Sequence, residues 1–436
     1  MHDLRKKALL ESGKTTSRKA RSKTTTPSTS RANSRVGSRN GSRNVSDDEG
    51  ELSDTTQWSS HSIDELISSA ADDDLPQEQW IADLESRIGD ICDRKRSSVQ
   101  GREDTLQHFN LDLVRHCAQK ELKTKIDELL PNIMKSIKSG HTEREVVLAL
   151  RALALMLITE PSEKLYDDVS GPVKSVISNA DHPMAKIAGI RTLAIATFYG
   201  GATEEETEKV MDFFLEIASS DGSSIEEDDN GEIVVAALEE WGFLATQIED
   251  LEETNEEAMD TFVDQLQSSD VGVQKAAGEN IALLFEKSYT DMESDDEADE
   301  ADMANGNDGE VMVKRYTAYR NIHQLEGILT ELSKVSSKRL SKNDRKVMHR
   351  TFEDILHTIE KPTRGPRYST ALDIDGNEYG SRLKVKVTKD GTMLIDKWWK
   401  YHRLQALKRL LQSGFGVHYE HNQNVLDTLP VDIEDE

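Results

Sequence analysis

Two runs of cations in the last third of the chain have the residue types for contact with phosphate. Lys334, Lys338, Arg339, Lys342, Arg345, Lys346 and Arg350 fall within seventeen residues. The stretch KWWKYHRLQALKR then adds Lys397, Lys400, Arg403, Lys408 and Arg409, interleaved with Trp398, Trp399 and Tyr401. Arginine and lysine neutralise backbone phosphates, and exposed aromatic rings stack on unpaired bases or cover apolar protein surface. The pattern fits nucleic-acid or ribosome contact first, with protein contact and then plain solvated surface as the alternatives. Two adjacent tryptophans cannot share one helix face, so one of Trp398 and Trp399 belongs to a core.

Other chemistries find no support in residue spacing. Neither GxxxxGK[ST] nor GxGxxG occurs, so no phosphate-cradling loop is expected. The stretch DIDGNE (373–378) has glycine at its fourth position instead of the sixth and lacks the spaced third acid of a calcium loop. His418 and His421 are three apart and His349 shares a helix with His357, yet neither pair has a third ligand at metal spacing. Carboxylate pairs abound without a flanking nucleophile or base, and read as solvated faces. Cys92 and Cys117 form neither a ligand set nor a disulfide framework, which fits a reducing compartment. The expectation is a non-enzymatic chain with no cofactor, no metal and no small-molecule substrate.

Charge is arranged in blocks. The formal net charge is −28 over 436 residues, but residues 1–46 carry 12 Lys/Arg against 2 Asp/Glu, and residues 47–75 carry 10 acids and no base. Residues 76–310 hold 20 bases against 53 acids, residues 311–421 hold 22 against 12, and residues 422–436 hold 5 acids alone. Only the positive blocks can approach a phosphate backbone, and the long central part should repel it.

Residues 1–75 are rich in Ser, Thr, Arg and Asp and cannot bury enough apolar surface to offset chain entropy, so a disordered tail is expected. Ser34, Ser38 and Ser42 lie among arginines, and Ser46 and Ser53 precede acids. All five are phosphorylation candidates, and modification would cancel the arm's charge. The opening MHDLRKKALLESGK has no apolar run, and no stretch approaches 18 consecutive apolar residues. A soluble protein of cytoplasm and nucleus, with no membrane partner, is the reading.

From residue 76 the periodicity becomes helical. Trp80, Leu84, Ile88 and Ile91 share one face. ALRALAL (149–155), GIRTLAI (189–195), IVVAALEEWGFLATQ (233–247) and SDVGVQKAAGENIALL (269–284) align with one another. The equivalent positions Ala149, Gly189, Ala237 and Gly278 are 40, 48 and 41 apart, in the range of armadillo and HEAT repeats, with the loop DGSSIEEDDNGE as the extra length. Small residues there let helices approach closely, so stacked pairs would bury one continuous core. The spacing predicts an all-α, armadillo/HEAT-like α-solenoid over 76–290 whose groove takes partner proteins. An acidic loop over 291–312, a basic C-terminal helical unit over 313–421 and an acidic tail over 422–436 complete the expected organisation.

Within the basic unit, Met348, Phe352, Ile355, Leu356 and Ile359 form an inward helix face. RLKVKVTKDGTMLID alternates around Asp390-Gly391 as a short β-hairpin. Asp396 is the expected N-cap of the helix that follows, and Gly414 its end.

The stretches LSKNDRKVMHRTFEDILHTIE and LIDKWWKYHRLQALKRLLQSGFGVHYEHN resemble the C-terminal part of the interferon-related developmental regulator family, which carries an LSK…R…FRDIL stretch, an IDSW helix and a GxGFxxHxxxN ending. DDEGELSDTTQWSSHSIDELI and the repeats are similar to that family's N-terminal domain, and the Ser/Arg-rich opening resembles filamentous-fungal members. Lys397 stands where the family often has Ser, and Tyr419 where it often has Leu. The resemblance implies an armadillo-like fold and non-enzymatic roles in gene expression, chiefly transcriptional co-regulation, with association with translationally idle ribosomes as the alternative.

Overall fold

Helix starts in this chain are set by side chains that satisfy the first free amides. Ser98 accepts from Gly101 N–H, Thr142 from Glu145 N–H, and Asp270 from Gly272 and Val273 N–H, while Thr203 and Glu206 form a reciprocal capping box. The computed structural model describes residues 77–93, 97–291, 303–305, 311–334, 342–372, 378–387, 391–431 and 433–435. The expected N-terminal tail, the five candidate serines, Lys338, Arg339 and most of DIDGNE lie outside the described residues.

The helices pair in order: α1 (Gln77–Cys92) with α2 (Val99–Arg115), a short α3 (Gln119–Leu122), then α4 (Ile126–Ser139) with α5 (Glu143–Thr159). They continue as α6 (Leu165–Asn179) with α7 (Pro183–Tyr199), α8 (Glu204–Ser219) with α9 (Gly231–Ala245), and α10 (Glu252–Gln265) with α11 (Val271–Lys287). The final pair is α12 (Ile322–Ser333) with α13 (Lys342–Glu360). Second helices stack in the row α2, α5, α7, α9, α11, α13, which is the helical-repeat solenoid that the spacing predicts.

Buried polar side chains tie the row together. Asn110 donates to Leu148 O (3.0 Å), Thr192 to Leu150 O (3.1 Å) and Asn280 to Leu238 O (2.9 Å), each bond joining one second helix to its neighbour. Lys186, also buried, reaches Ile225 O at 2.5 Å and Glu227 at 3.3 Å, and so pins the extra acidic loop before α9 onto α7. The ammonium is desolvated there and needs those oxygens.

Several boundaries differ from the sequence expectation. α12 and α13 extend the solenoid row, because Phe352 and Ile355 on the inward face of α13 pack over Gly278 of α11. Residues 303–305, inside the expected loop, form strand β2 (Met303–Asn305). It pairs antiparallel with β3 (Val311–Lys314), as does β1 (Tyr289–Asp291). Strands β4 (Tyr368–Leu372) and β5 (Glu378–Ser381) make a second small sheet. The expected hairpin is present as β6 (Leu383–Lys386) with β7 (Gly391–Ile395), but β7 has a further neighbour, β8 (Ile433–Asp435).

After β7 the chain forms α14 (Trp398–Leu411), a 3₁₀ turn over Gln412–Gly414, α15 (Phe415–His421) and α16 (Gln423–Thr428). The stretch expected as an acidic tail thus contains a helix and a strand, since Val425 and Leu429 are buried and hold it to the core. α14 stops at Leu411, before Gly414, where Gln412 turns to φ 47°. This final run packs on α11, α9 and α5 through α14, on α2 through α15 and on α5 through α16, travelling back along the row of second helices.

Candidate functional site

The basic–aromatic helix α14 is built inward from its first residue. Its N-cap position is Lys397, with no side-chain cap, and the expected cap Asp396 instead accepts from Lys400 Nζ at 2.6 Å. The free amides are satisfied from another helix: Glu286, in the last turn of α11, accepts Trp398 N–H at 2.7 Å and Trp399 N–H at 3.0 Å. A carboxylate at a helix N-terminus meets both free donors and the positive end of the macrodipole. Burial nevertheless pushes the Glu286 carboxyl up to about 7, with the two amides pulling the other way.

Several of the polar residues that follow in α14 have buried partners. Trp398, 2% exposed, donates its indole N–H to Thr358 Oγ1 of α13 (2.8 Å). Tyr401 O–H donates to Glu279 (2.8 Å), and the His402 ring lies 3.3 Å from Glu279 O. Burial pushes His402 down to about 4, so the ring is neutral near pH 7. Arg403 donates to Thr246 Oγ1 (2.9 Å), Thr246 O (3.0 Å) and Thr428 O (2.9 Å), with its guanidinium over the rings of Trp399 (4.9 Å) and Phe198 (5.4 Å).

Arg409 completes a buried four-charge cluster. It donates to Glu240 at 2.9 Å and lies 3.5 Å from Glu239, while Arg191 of α7 lies 3.2 Å from Glu239 and 3.4 Å from Glu240. Two cations and two anions cancel formally, which lets charge enter a core. Burial alone would raise the Glu239 carboxyl, yet Arg409 and Arg191 hold it below its ordinary value. Arg151 of α5 donates to Leu410 O at 3.3 Å.

The rest of the run satisfies helix ends. A helix leaves its last carbonyls without intrahelical donors. His418 meets Leu113 O of α2 at 2.7 Å, Asn422 donates to Ile158 O of α5 at 3.1 Å, and Asn424 to Ile158 O (3.3 Å) and Thr159 O (3.2 Å). Thr428 and Tyr199, the last residue of α7, share a hydroxyl hydrogen bond of 2.7 Å. Residues 398–428 therefore line the C-terminal ends of successive second helices.

The predicted contact residues separate into two groups. Trp398 and Arg409 are buried, and burial with paired charges removes them from any set that could reach phosphate. Trp399, Lys400, Arg403 and Lys408 are half-buried, the last with its ammonium 5.9 Å from the Phe415 ring centroid. On α13, Lys346 is exposed and Arg345 and Arg350 are partly so, while Lys334, just after α12, is exposed. Lys342 opens α13. The ends of the second helices are covered by the chain's own residues 398–428.

Sequence reasoning missed Glu286, Glu279, Glu240, Glu239, Arg191 and Arg151 as the seat of α14. The available signal was that α7, and α5 beyond its first turn, are apolar on almost every side apart from Arg151, Lys186 and Arg191, and a helix of that kind is covered all round.

A family model described as interferon-related developmental regulator matches residues 46–360. An uncharacterized protein of Schizosaccharomyces pombe is 26% identical, covering 86% of this chain and 80% of its own length. Interferon-related developmental regulator 2 of Mus musculus is 23% identical over 88% of this chain and 79% of its own length. Interferon-related developmental regulator 1 of Homo sapiens is 21% identical over 87% and 78%.

Proposed function

The chain belongs to the interferon-related developmental regulator family, and on that premise we infer that it is a non-enzymatic helical-repeat binding protein that regulates gene expression as a transcriptional co-regulator or protein-interaction adaptor. The observation that carries this reading is the inward placement of α14. Trp398 and Arg409, two of the candidates for base stacking and phosphate contact in that helix, are used inside the fold. Around them the repeats of residues 76–310 are strongly acidic, which disfavours a nucleic-acid partner along most of the solenoid.

A second reading, contact with ribosomal or other RNA, rests on the exposure of Lys346 and Lys334 beside the partly exposed Arg345 and Arg350. Sedimentation of the endogenous protein through a sucrose gradient, with and without RNase, separates the two. The adaptor reading expects a protein-containing complex whose position RNase does not change. Migration with ribosomal particles that RNase treatment releases favours the second reading and contradicts the first.

A further inference from the structure

A sheet edge offers the clearest unassigned interaction surface. β6 and β7 form an antiparallel hairpin, with Lys384 opposite Leu394, Val385 opposite Met393 and Lys386 opposite Thr392. Alone, such a ribbon would leave the outer edge of β7 with free main-chain donors and acceptors, a template for another strand. Here β8 closes part of that edge, with Met393 opposite Ile433, Thr392 opposite Glu434 and Gly391 opposite Asp435. Tyr419 O–H positions the approach to β8, lying 3.1 Å from Leu429 O and 2.8 Å from Val431 O.

Two features give this edge a defined preference. The register aligns Val385, Met393 and Ile433 in one cross-strand row, and Val385 and Met393 are both buried, so that row favours an apolar residue. The next row aligns Lys386, Thr392 and Glu434 in register, so that β7 runs between the basic sequence LKVK of β6 and the acidic sequence IED of β8. Among the described residues β8 pairs with Gly391, Thr392 and Met393 of the five-residue strand β7. A longer extended segment of the same chemistry would pair along the whole strand and gain further main-chain hydrogen bonds.

We propose that the outer edge of β7 is a strand-addition site for an extended acidic segment of a partner protein, with an apolar residue at the level of Met393, and that residues 433–435 occupy it when that partner is absent. The site stands on strand register, independently of whether the partner acts in transcription.

The test uses fluorescence anisotropy with a labelled peptide of sequence LPVDIEDE, residues 429–436, standing in for the partner segment. It is titrated into the full chain and into a variant with residues 432–436 deleted. Binding to the deletion variant that is about tenfold or more tighter than to the full chain is the expected result, because the full chain supplies its own competitor. A peptide N-methylated at alternate residues should lose binding, and Lys386→Glu should weaken it. Absence of binding to a deletion variant whose circular dichroism and melting temperature match those of the full chain overturns the proposal, as does equal binding of the N-methylated peptide. If instead the full chain forms a dimer that the peptide dissociates, the occupant is a second copy and the partner-protein proposal falls.

Discussion

Glu286 accepts the backbone N–H of Trp398 at 2.7 Å, so the first turn of α14 is capped by a carboxylate more than a hundred residues earlier in the chain. The bond joins the last turn of α11 to the start of the helix that returns across the solenoid. It makes the basic–aromatic helix a component of the repeat core.

The burial of Glu286 beneath that cap makes stability depend on pH. The folded-state value of Glu286 is raised to about 7 from 4.5, so the folded chain binds more protons than the unfolded chain between those values. The contribution is complete below the unfolded value and is lost as pH rises through the folded one. Compared with Glu286→Gln, the wild-type chain should lose up to about 3 kcal/mol of stability between pH near 5 and pH near 8. Urea denaturation of both proteins across that range checks it; parallel profiles would contradict it.

Arg409 should behave as a core residue. Arg409→Met leaves Glu240 and Glu239 with one buried cation, Arg191, between them, and removing one partner of a buried ion pair costs about 3–5 kcal/mol. Lys346→Glu, at an exposed position on α13, should change stability by no more than about 0.5 kcal/mol. Thermal melts of the two variants give the comparison directly.

At Gly242 α9 comes close to α11 and α14. A β-carbon there would lie 2.2 Å from Asn280 Oδ1 and 2.6 Å from the His402 ring. In an open helix glycine-to-alanine stabilises by about 1 kcal/mol. Gly242→Ala should instead destabilise by about 1–3 kcal/mol, because Asn280 is tied to Leu238 O and both it and the His402 ring are buried. A raised melting temperature would mean that α14 does not sit against α9 as described.

The cations that remain accessible decide between the two functional readings. Replacing Arg345, Lys346 and Arg350 together with Glu should leave folding intact, since their helix buries Met348, Phe352, Ile355 and Ile359 on its other face. On the adaptor reading, association with protein partners survives. If these residues contact phosphate, RNA or ribosome binding is lost, and neutralising each one lowers the salt slope by about 0.7–0.9. Filter binding across a salt series measures it.

How much of this was legible in sequence depended on whether the signal was local. The repeats were readable because Ala149, Gly189, Ala237 and Gly278 recur at near-constant spacing, and the inward face of α13 because its apolar residues follow the helical period. The family resemblance was carried by short motifs. The seat of α14 was not readable. Charged residues usually stay at the surface, and the partners of Arg409 and Tyr401 are 169 and 122 residues away. The cap at Asp396 failed for the same reason: a distant carboxylate, Glu286, displaced the local one. Strand β8 was hidden because three acidic-flanked residues show no strand pattern until β7 is beside them.

Hydrogen exchange of the full chain, followed by mass spectrometry, shows whether α14 belongs to the repeat core. If Trp398–Leu411 is seated through Glu286, Glu279, Glu240 and Thr246, its amides should exchange together with those of α9 and α11, through the same global opening. Exchange of α14 amides well ahead of α9 and α11, as for a helix docked loosely or held outward for a partner, would contradict it.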